Sequence, residues 1–183
     1  MRQELIKIAQ VTLKILSKKS WNSLSISEVR QKSKIKIFDN EIKNKYSLLK
    51  NLNAYFDHAL SSEVRGIEQS NRQDMIFEVM MMRFDILQKN RMALKSISNS
   101  FKNKPHELIF LLPCLLDSMI LMANYANIPV KGLRGQLRLK GILIIYCATF
   151  LIWVTDNSTS LEKTMTSLDR NLDKAGKVLK FFQ

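Results

Sequence analysis

Apolar residues recur at intervals of three and four along most of this chain, a spacing that predicts a series of amphipathic helices. A first helix is predicted over residues 3–17, with one apolar stripe formed by Leu5, Ile8, Ala9, Leu13 and Leu16. Ser25 and Glu28 have the spacing of a capping box, which predicts a short helix over 26–31. Asn44 can cap a longer helix after it.

The second half of the chain contains longer apolar segments. Pro113 lies inside a segment from Pro105 to about Tyr125 and should kink or divide a helix there. A long helix is predicted from about Gly132 to Val154. Within it, the 13 residues of 142–154 are apolar on every face, fewer than the roughly 20 that cross a bilayer. This run is therefore expected to be buried in protein or to hold an apolar ligand.

A second capping box, Thr159 with Glu162, is predicted to open the last helix. The apolar residues of this helix alternate steps of four and three, as in a coiled coil: Leu161, Met165, Leu168, Leu172, Ala175, Leu179 and Phe182. This favours packing on the rest of the chain or on a second subunit. The alternative is a helix at a membrane surface, formed by Lys163, Arg170, Lys174, Lys177 and Lys180 with Phe181 and Phe182.

Two modules are expected. With 5 glycines and 3 prolines the chain has little turn material, so the prediction is an all-α protein of about nine helices. The polar linker 68–73 lies near the expected boundary between a three-helix, helix-turn-helix head over residues 1–60 and a helical bundle over 61–183. The bundle is expected to bind a ligand and to form a dimer.

The charge is strongly positive, +13 overall, and residues 1–60 contain twelve Lys and Arg against five Asp and Glu. This balance is typical of a protein with an anionic partner, nucleic acid or an anionic membrane surface. The equally weighted alternative is a lysine-rich composition spread over a solvated surface. Five lysines around the predicted turn are candidates for DNA phosphate contacts: Lys32, Lys34, Lys36, Lys43 and Lys45. The candidate recognition helix, 37–42, is short and carries two acids that repel phosphate.

The sequence gives no support for catalysis or for a metal site. His58 and His106 are the only histidines, and there is no phosphate-binding glycine loop or nucleophile elbow. Cys114 and Cys147 lie in apolar helical segments and are predicted to be buried free thiols in a reducing compartment. The N-terminus lacks the pattern of a signal peptide, so a cytoplasmic, non-enzymatic protein without a cofactor is expected.

Several residues of the bundle could line a ligand pocket. Tyr146, Thr149 and Trp153 share one helical face, and Tyr and Trp combine apolar bodies with one polar group each. The predicted pocket consists of Phe84, Met119, Met122, Tyr146, Thr149 and Trp153. The alternative is a packed core with a dimer interface. Asp117 interrupts an apolar helix and is predicted to form an ion pair with Arg134 or Arg138.

The head resembles the tetracycline-repressor (TetR) family at residues 24–29, Leu-Ser-Ile-Ser-Glu-Val, and at residues 44–49, Asn-Lys-Tyr-Ser-Leu-Leu. The chain departs from the family where a Gly-Val turn reads Lys34-Ile35, and in a recognition helix about two residues short without its aromatic-rich end. The resemblance implies a homodimer that binds DNA through the head and holds an apolar effector in the bundle.

The C-terminal part resembles the accessory proteins of ubiquinone (coenzyme Q) biosynthesis, which have a TetR-like fold. The matching residues are Arg83-Phe84-Asp85 with Leu87 and Arg91, Gly132-Leu133-Arg134-Gly135 with Leu137 and Arg138, Tyr146, Thr149, Trp153, Asp156 and Ser158, and Leu168-Asp169-Arg170. The family's stretch rich in Trp, Tyr and Thr reads Gln136-Leu137-Arg138 here.

This resemblance implies a non-enzymatic dimer that holds an isoprenoid lipid and assists a ring hydroxylase. It also implies a peripheral contact with the inner membrane through the last helix. Three hypotheses follow. The leading one is a lipid-binding accessory protein of ubiquinone biosynthesis. The second is a TetR-type transcriptional regulator, and the third is an interaction module with neither ligand.

Overall fold

The computed structural model describes residues 1–36, 38–68, 70–102 and 104–179. Within these ranges the chain forms helices and no strands, which confirms the all-α prediction. The α-helices are α1 Gln3–Leu16, α2 Ile26–Ser33, α3 Phe38–Glu41, α4 Lys45–Glu63, α5 Arg72–Gln88, α6 Arg91–Phe101, α7 Leu112–Tyr125, α8 Gly132–Thr155 and α9 Glu162–Leu179. Two compact units are present, the first formed by 1–59 with 86–114 and the second by 60–85 with the residues from 115 onward.

The first unit is centred on α1, which packs against α2 and α6. Its predicted stripe is buried at Ile8, Ala9, Leu13 and Leu16, each at most 3% exposed. The loop after α1 is tied to α6 by Ser96, whose Oγ accepts a hydrogen bond from the Trp21 N–H and donates one to the Lys19 carbonyl, both at 3.0 Å. These hydrogen bonds fix where α2 begins relative to α6.

The predicted helix starts in this unit are formed by side-chain caps. The Ser25 Oγ accepts the Glu28 N–H at 3.1 Å, so half of the first capping box is present. The Glu28 carboxylate instead accepts hydrogen bonds from Lys19 and Lys32. The cap at Asn44 is reciprocal, because its Oδ1 accepts the Ser47 N–H at 2.9 Å and the Ser47 Oγ accepts the Asn44 N–H at 3.0 Å.

Pro113 divides the apolar segment as predicted. Residues Pro105–Leu111 form a 3-10 helix, and the α-helix begins at Leu112, which places Pro113 in its first turn. A proline is tolerated there because its missing N–H would have had no helical partner.

The long helix α8 forms the centre of the second unit and packs against α9. One face is buried, including Ile142, Tyr146, Thr149 and Trp153. The opposite face is open, with Ile144 68% and Leu151 65% exposed. Of the two expectations for residues 142–154, burial in protein on every face is therefore wrong, because hydropathy reports residue type and not which face a neighbour covers. The expectation of an apolar ligand stays a prediction.

In the part of the chain that the structure describes, two segments, 106–125 and 132–155, are long and apolar enough by length and composition to cross a membrane. The apolar run of 142–154 is part of α8, a helix of 24 residues. The 13-residue length of the run is therefore not the length to compare with the thickness of a bilayer. The core helix of a folded domain can also meet these criteria of length and composition. One face of α8 is buried in the core of the second unit.

The start of α9 departs from the predicted capping box of Thr159 with Glu162. The Glu162 N–H donates to the Ser158 Oγ at 3.1 Å, and the Asp156 Oδ2 accepts the N–H and the hydroxyl of Thr164 at 2.9 and 2.8 Å. Asp156 and Ser158 therefore cap this helix. Leu161, just before it, has the left-handed φ of 54°.

The heptad pattern of α9 corresponds to packing for part of its length. Leu161, Leu168 and Leu172 are at most 2% exposed, whereas Met165 is 43% exposed. The side chain of Leu179, together with Lys180, Phe181 and Phe182, lies outside the described residues. Cys147 is exposed and Cys114 is partly exposed, so the prediction of two buried thiols is also wrong. Cys147 lies on the open face of α8.

Candidate functional site

The α2–α3 turn is the candidate DNA-binding element. Helix α2 ends at Ser33, and its C-cap residue, Lys34, has the left-handed conformation with φ 55° and ψ 36°. Its N–H donates to the Arg30 carbonyl at 3.1 Å. Helix α3 is one turn long and is anchored by the buried Phe38, with Ile42 buried just after it. Ile37, the first residue of the predicted recognition helix, lies outside the described residues.

The two acids of α3 are both engaged by arginines. Asp39 forms an ion pair with Arg30, and Glu41 forms one with Arg2. These pairs are at the surface, where they add little to stability. They nevertheless place a positive charge beside each carboxylate, so the acids oppose phosphate less than their number suggests. Asn40, between them in sequence, is exposed.

The five predicted phosphate-binding lysines have different surroundings. Lys34, Lys36 and Lys43 are exposed. Lys32 is also exposed, but its Nζ lies 2.8 Å from the Glu28 Oε1. Hydrogen bonds from Lys32, and then from Lys19, lower the pKa of Glu28 below its ordinary value.

Lys45 has an internal role. Its Nζ donates to the carbonyls of Trp21 and Asn22 at 2.9 and 3.1 Å and lies 5.5 Å from the centre of the Trp21 ring. Burial lowers the pKa of Lys45. This side chain holds the start of α4 to the loop after α1, so the open lysines around α3 are Lys34, Lys36 and Lys43.

The six residues of the predicted ligand pocket are all buried in the second unit. Each is at most 5% exposed. Phe84 lies against Tyr146, with ring centres 5.4 Å apart and planes at 20°, and its ring centre is 6.4 Å from that of Trp153. The structure thus brings the three aromatic residues into one cluster. Met119 and Met122 are buried on α7 of the same unit.

Arg83 belongs to this cluster and was not among the predicted pocket residues. It is 1% exposed, its Nε donates to the Tyr146 hydroxyl at 3.2 Å, and its guanidinium lies 5.8 Å from the centre of the Tyr146 ring. A buried arginine is costly unless it has hydrogen-bond partners. The sequence signal was an arginine placed among the apolar residues of α5.

Thr149 places a buried hydroxyl in this unit, on the same face of α8 as Tyr146 and Trp153. It is completely buried and has no hydrogen-bond partner among the described residues. A buried hydroxyl without a partner costs on the order of 1–3 kcal/mol. It is therefore the atom of this cluster at which a polar group of a ligand would gain most.

A cavity of about 320 Å³ lies elsewhere in the second unit, between α5 and α9. It is lined by Ser70, Gln73, Asp74, Phe77, Glu78, Asp169 and Leu172. Beside it the Gln73 Nε2 donates to the Asp173 Oδ1 at 2.7 Å. The residues of the predicted pocket do not line this cavity, and the sequence did not predict it.

The predicted ion pair of Asp117 is wrong. Asp117 and Arg134 are both exposed, and Asp117 forms no ion pair with any described residue. The Arg138 Nη1 instead donates to the Pro129 carbonyl at 3.3 Å. An exposed carboxylate keeps its water and needs no partner, so the premise of burial failed.

Comparison with known proteins gives a likeness of fold. No protein-family model matches the chain, and no curated protein matches it. A TetR transcriptional regulator from Nitrosomonas europaea is similar with a TM-score of 0.74 at 15% identity, covering 97% of this chain and 100% of that one. A TetR transcriptional regulator from Rhodococcus sp. RHA1 has a TM-score of 0.65 at 12% identity, covering 95% and 96%.

A TetR-family regulator from Streptomyces coelicolor has a TM-score of 0.60 at 13% identity, covering 99% of this chain and 86% of that one. None of these three likenesses is to an accessory protein of ubiquinone biosynthesis. At such low identities they show the fold alone, and the fold of this chain is TetR-like.

Proposed function

We propose that this protein is a non-enzymatic transcriptional regulator that acts in the cytoplasm as a homodimer and binds DNA through the α2–α3 turn. The observation that carries the proposal is that both acids of α3 are ion-paired, Asp39 with Arg30 and Glu41 with Arg2. Asn40 in α3 and the lysines beside α3 are exposed and can contact DNA: Lys34, Lys36 and Lys43.

Each open group has a distinct role in this proposal. Lys34, Lys36 and Lys43 neutralise phosphates and set the position of the turn on the duplex. Asn40 reads a base edge, since an asparagine amide can pair with adenine in the major groove. A single helical turn offers few such hydrogen bonds, so phosphate binding supplies most of the affinity. Two subunits on two half-sites then raise the specificity that one α3 cannot supply.

Titration of labelled duplexes at several salt concentrations tests the proposal. The duplexes are the DNA flanking the protein's own gene and a shuffled sequence of equal composition. Replacement of Lys34, Lys36 and Lys43 by Ala should weaken binding to both duplexes and flatten the salt dependence by roughly one unit for each phosphate that is no longer neutralised. Asn40→Ala should leave the salt slope unchanged and lower the preference for the flanking DNA roughly 5- to 100-fold.

The matched control removes the same charge from another surface. Lys163, Lys174 and Lys177 are exposed on α9, and their replacement by Ala lowers the net charge by the same amount. If this control weakens binding as much as the α2–α3 variant does, binding follows net charge alone and the proposed interface is wrong.

We further propose that the second unit binds an apolar effector with a polar group that meets the Thr149 hydroxyl. Support comes from the buried hydroxyl without a partner within an aromatic cluster. A second candidate function, the lipid-binding accessory role in ubiquinone biosynthesis, rests on the sequence resemblance of the C-terminal part and would also need an apolar ligand in this unit. Native mass spectrometry after gentle purification separates the two. A bound prenyl lipid in a chain that does not bind DNA favours the accessory role, which includes a partner enzyme and a peripheral membrane contact. A small molecule that releases DNA favours the regulator.

A further inference from the structure

A short apolar stretch connects α6 to α7 in the first unit. Residues Pro105–Leu111 form a 3-10 helix, and α7 begins at Leu112. Four large apolar side chains of this stretch are 39–60% exposed, and we name them the apolar turn: Leu108, Ile109, Phe110 and Leu112. Single exposed apolar residues are common, but a contiguous group of large ones marks a surface for a partner.

The apolar turn is the open part of a longer apolar segment. In the most apolar window of 106–125, 22% of the residues are buried in the protein, against 39% for 132–155. The buried residues of α7 all lie in its later part: Ser118, Met119, Met122 and Ala123. The open part is too short to span a bilayer, but it is long enough to enter the interface of one.

The geometry of the apolar turn favours a fluid partner over a rigid one. A 3-10 helix has three residues per turn, so successive side chains point about 120° apart. Leu108, Ile109 and Phe110 therefore project in three directions, and all three are exposed. A protein surface can cover one of these directions, whereas lipid can surround a projecting turn.

The area of the apolar turn is small for a protein interface. A fully open side chain of this size exposes roughly 150–200 Å², so the four together expose on the order of 350 Å². One partner of a standard protein interface contributes about 800 Å². A protein partner would therefore have to take more than half of its contact from the charged surface around the turn.

The charge around the apolar turn fits an anionic surface. Residues 86–114, the part of the first unit that contains the turn, include five Lys and Arg against one acid, Glu107. Glu107 is ion-paired, with its Oε1 3.5 Å from the Lys104 Nζ. Lys102 and Lys104 precede the turn and are exposed. Lysines beside large apolar side chains are typical of segments that bind the interface of an anionic bilayer.

An aromatic contact anchors the apolar turn to α4. The ring centres of Phe110 and Tyr46 are 5.0 Å apart, with the planes at 45°. Tyr46 is partly exposed and lies in the first turn of α4. A tyrosine combines an apolar ring with a polar hydroxyl, which suits the level of the lipid headgroups. Phe110, without a polar group, suits the acyl side of that level.

We propose that the apolar turn inserts into the interface of an anionic phospholipid bilayer, with Lys102 and Lys104 on the headgroup phosphates. This surface belongs to the first unit and is distinct from the last helix, for which the sequence suggested a membrane contact. The inference goes beyond the proposed function and depends on neither DNA nor an effector. Its test and the tests of the proposed function can therefore fail separately.

Sedimentation of the full chain with sucrose-loaded vesicles measures the binding. The wild-type protein should bind phosphatidylcholine vesicles that contain phosphatidylglycerol and bind pure phosphatidylcholine much more weakly. Replacement of Ile109 and Phe110 together by Ser should weaken binding to the mixed vesicles roughly 10- to 100-fold, because less apolar surface leaves water. Replacement of Lys102 and Lys104 by Gln should weaken it about 5-fold for each charge.

Met92→Ser is the matched control. Met92 is 66% exposed, more than Ile109 or Phe110, and belongs to the same unit. It lies nine residues before Phe101, the last residue of α6, which is about 13 Å along the helix axis. Its replacement should leave vesicle binding unchanged. If the double Ser variant binds the mixed vesicles as tightly as Met92→Ser does, basic charge alone carries the binding and the proposal is wrong.

Tryptophan fluorescence tests insertion directly. Trp21 and Trp153 are at most 5% exposed, so their emission is a constant background. The emission of Ile109→Trp should shift to shorter wavelength when mixed vesicles are added, and brominated lipid should quench it. Met92→Trp should show neither change. An unshifted Ile109→Trp in protein that sediments with the vesicles would mean that the turn stays in water.

A second copy of the chain is the other occupant that the variants can identify. All the substituted side chains are exposed, so the variants should keep the helical content of the wild type. If the double Ser variant changes the oligomeric state of the lipid-free protein in analytical ultracentrifugation, protein and not lipid covers the turn. That result, or a wild-type chain that does not bind the mixed vesicles, would overturn the proposal.

Discussion

The α2–α3 turn and the buried aromatic cluster of Phe84, Tyr146 and Trp153 differ in how tightly neighbouring residues hold their side chains. At the turn, Arg30 and Asp39 form an ion pair with both side chains more than half exposed. In the cluster, Tyr146 and Trp153 are at most 5% exposed and pack around Phe84. Dense packing restricts residue type at fixed spacing, whereas a solvated surface permits many side chains. A recognisable motif therefore reports packing before it reports function.

The residues on which the predicted resemblance to the ubiquinone accessory proteins rests illustrate this. Tyr146 and Trp153 pack in the cluster, and Asp156 and Ser158 cap α9. Each of these residues has a structural role that any protein of this architecture can use. The motif is thus compatible with a regulator as well as with a lipid-binding protein, and it does not decide between them.

The largest loss of stability that would test this contrast between a tightly packed region and a solvated one is expected at Asp156. Asp156→Ala removes the acceptor of four hydrogen bonds from Ser158 and Thr164. Loss of the cap and of buried partners should lower the free energy of unfolding by roughly 2–4 kcal/mol, measured by urea denaturation. Asp169→Ala, at an exposed acid within α9, the helix that Asp156 caps, should change it by less than about 0.5 kcal/mol.

The same residue gives a pH dependence. Burial alone would raise the pKa of Asp156, but hydrogen bonds from Ser158 and Thr164 outweigh it and hold the pKa well below its ordinary value. A depressed folded-state pKa contributes stability that is present above the unfolded pKa of about 3.9 and is lost as pH falls below it. The difference in stability between wild type and Asp156→Ala should be constant from pH 7 to about 5 and shrink below about 4. A pH-independent difference would contradict this account.

The next effect is expected at Gly135. A Cβ there would lie 2.2 Å from the backbone carbonyl carbon of Val130, so the loop before α8 must move if any side chain is added. Gly135→Ala should cost roughly 1–3 kcal/mol in thermal or chemical unfolding. Gly66→Ala is the control, since nothing lies within 4 Å of a Cβ at that position. Equal effects of the two substitutions would mean that the close approach to Val130 is unimportant.

Local signals account for the parts of the fold that the sequence predicted. The reciprocal cap at Asn44 involves residues three apart, and the division at Pro113 follows from one missing N–H. The cap of α9 was missed because the Asp156 carboxylate reaches Thr164, eight residues away, across a turn with a left-handed Leu161. A three-residue capping pattern cannot report such a hydrogen bond.

Other predictions failed because the sequence does not show which face of a helix is buried. Asp117 and Cys147 lie in apolar segments, which suggested burial, yet both point outward. Periodicity shows that a helix has an apolar face, but it does not show how many of its faces are covered. At the candidate DNA interface, the sequence showed that lysines lie around the predicted turn. It could not show that Lys45 turns inward to the Trp21 carbonyl or that Arg30 reaches Asp39.

A smaller effect is expected at the turn itself. Lys34 has a left-handed conformation that costs a side chain roughly 1 kcal/mol and costs glycine almost nothing. Lys34→Gly should therefore raise stability by about 0.5–1 kcal/mol, a rise in Tm of roughly 1–4 °C, while weakening DNA binding because one phosphate is no longer neutralised. Lys36→Gly removes the same charge at a residue without positive φ, so it should weaken binding with no gain in stability. A Lys34→Gly variant that binds DNA as tightly as wild type would remove Lys34 from the interface.

The smallest effect, at Thr149, tests whether the cluster is only a core. Thr149→Val keeps the shape and removes a buried hydroxyl with no partner among the described residues, so the purified, ligand-free protein should gain up to about 1 kcal/mol. Thr164→Val is the contrasting control, because that hydroxyl donates to Asp156 and its loss should destabilise. If the Thr149 hydroxyl meets an effector, the variant should gain stability alone but be stabilised less by the effector than wild type is, since ligand stabilisation follows affinity. Equal stabilisation of both proteins by the effector would mean that Thr149 does not touch it, and the cluster would then be a core like any other.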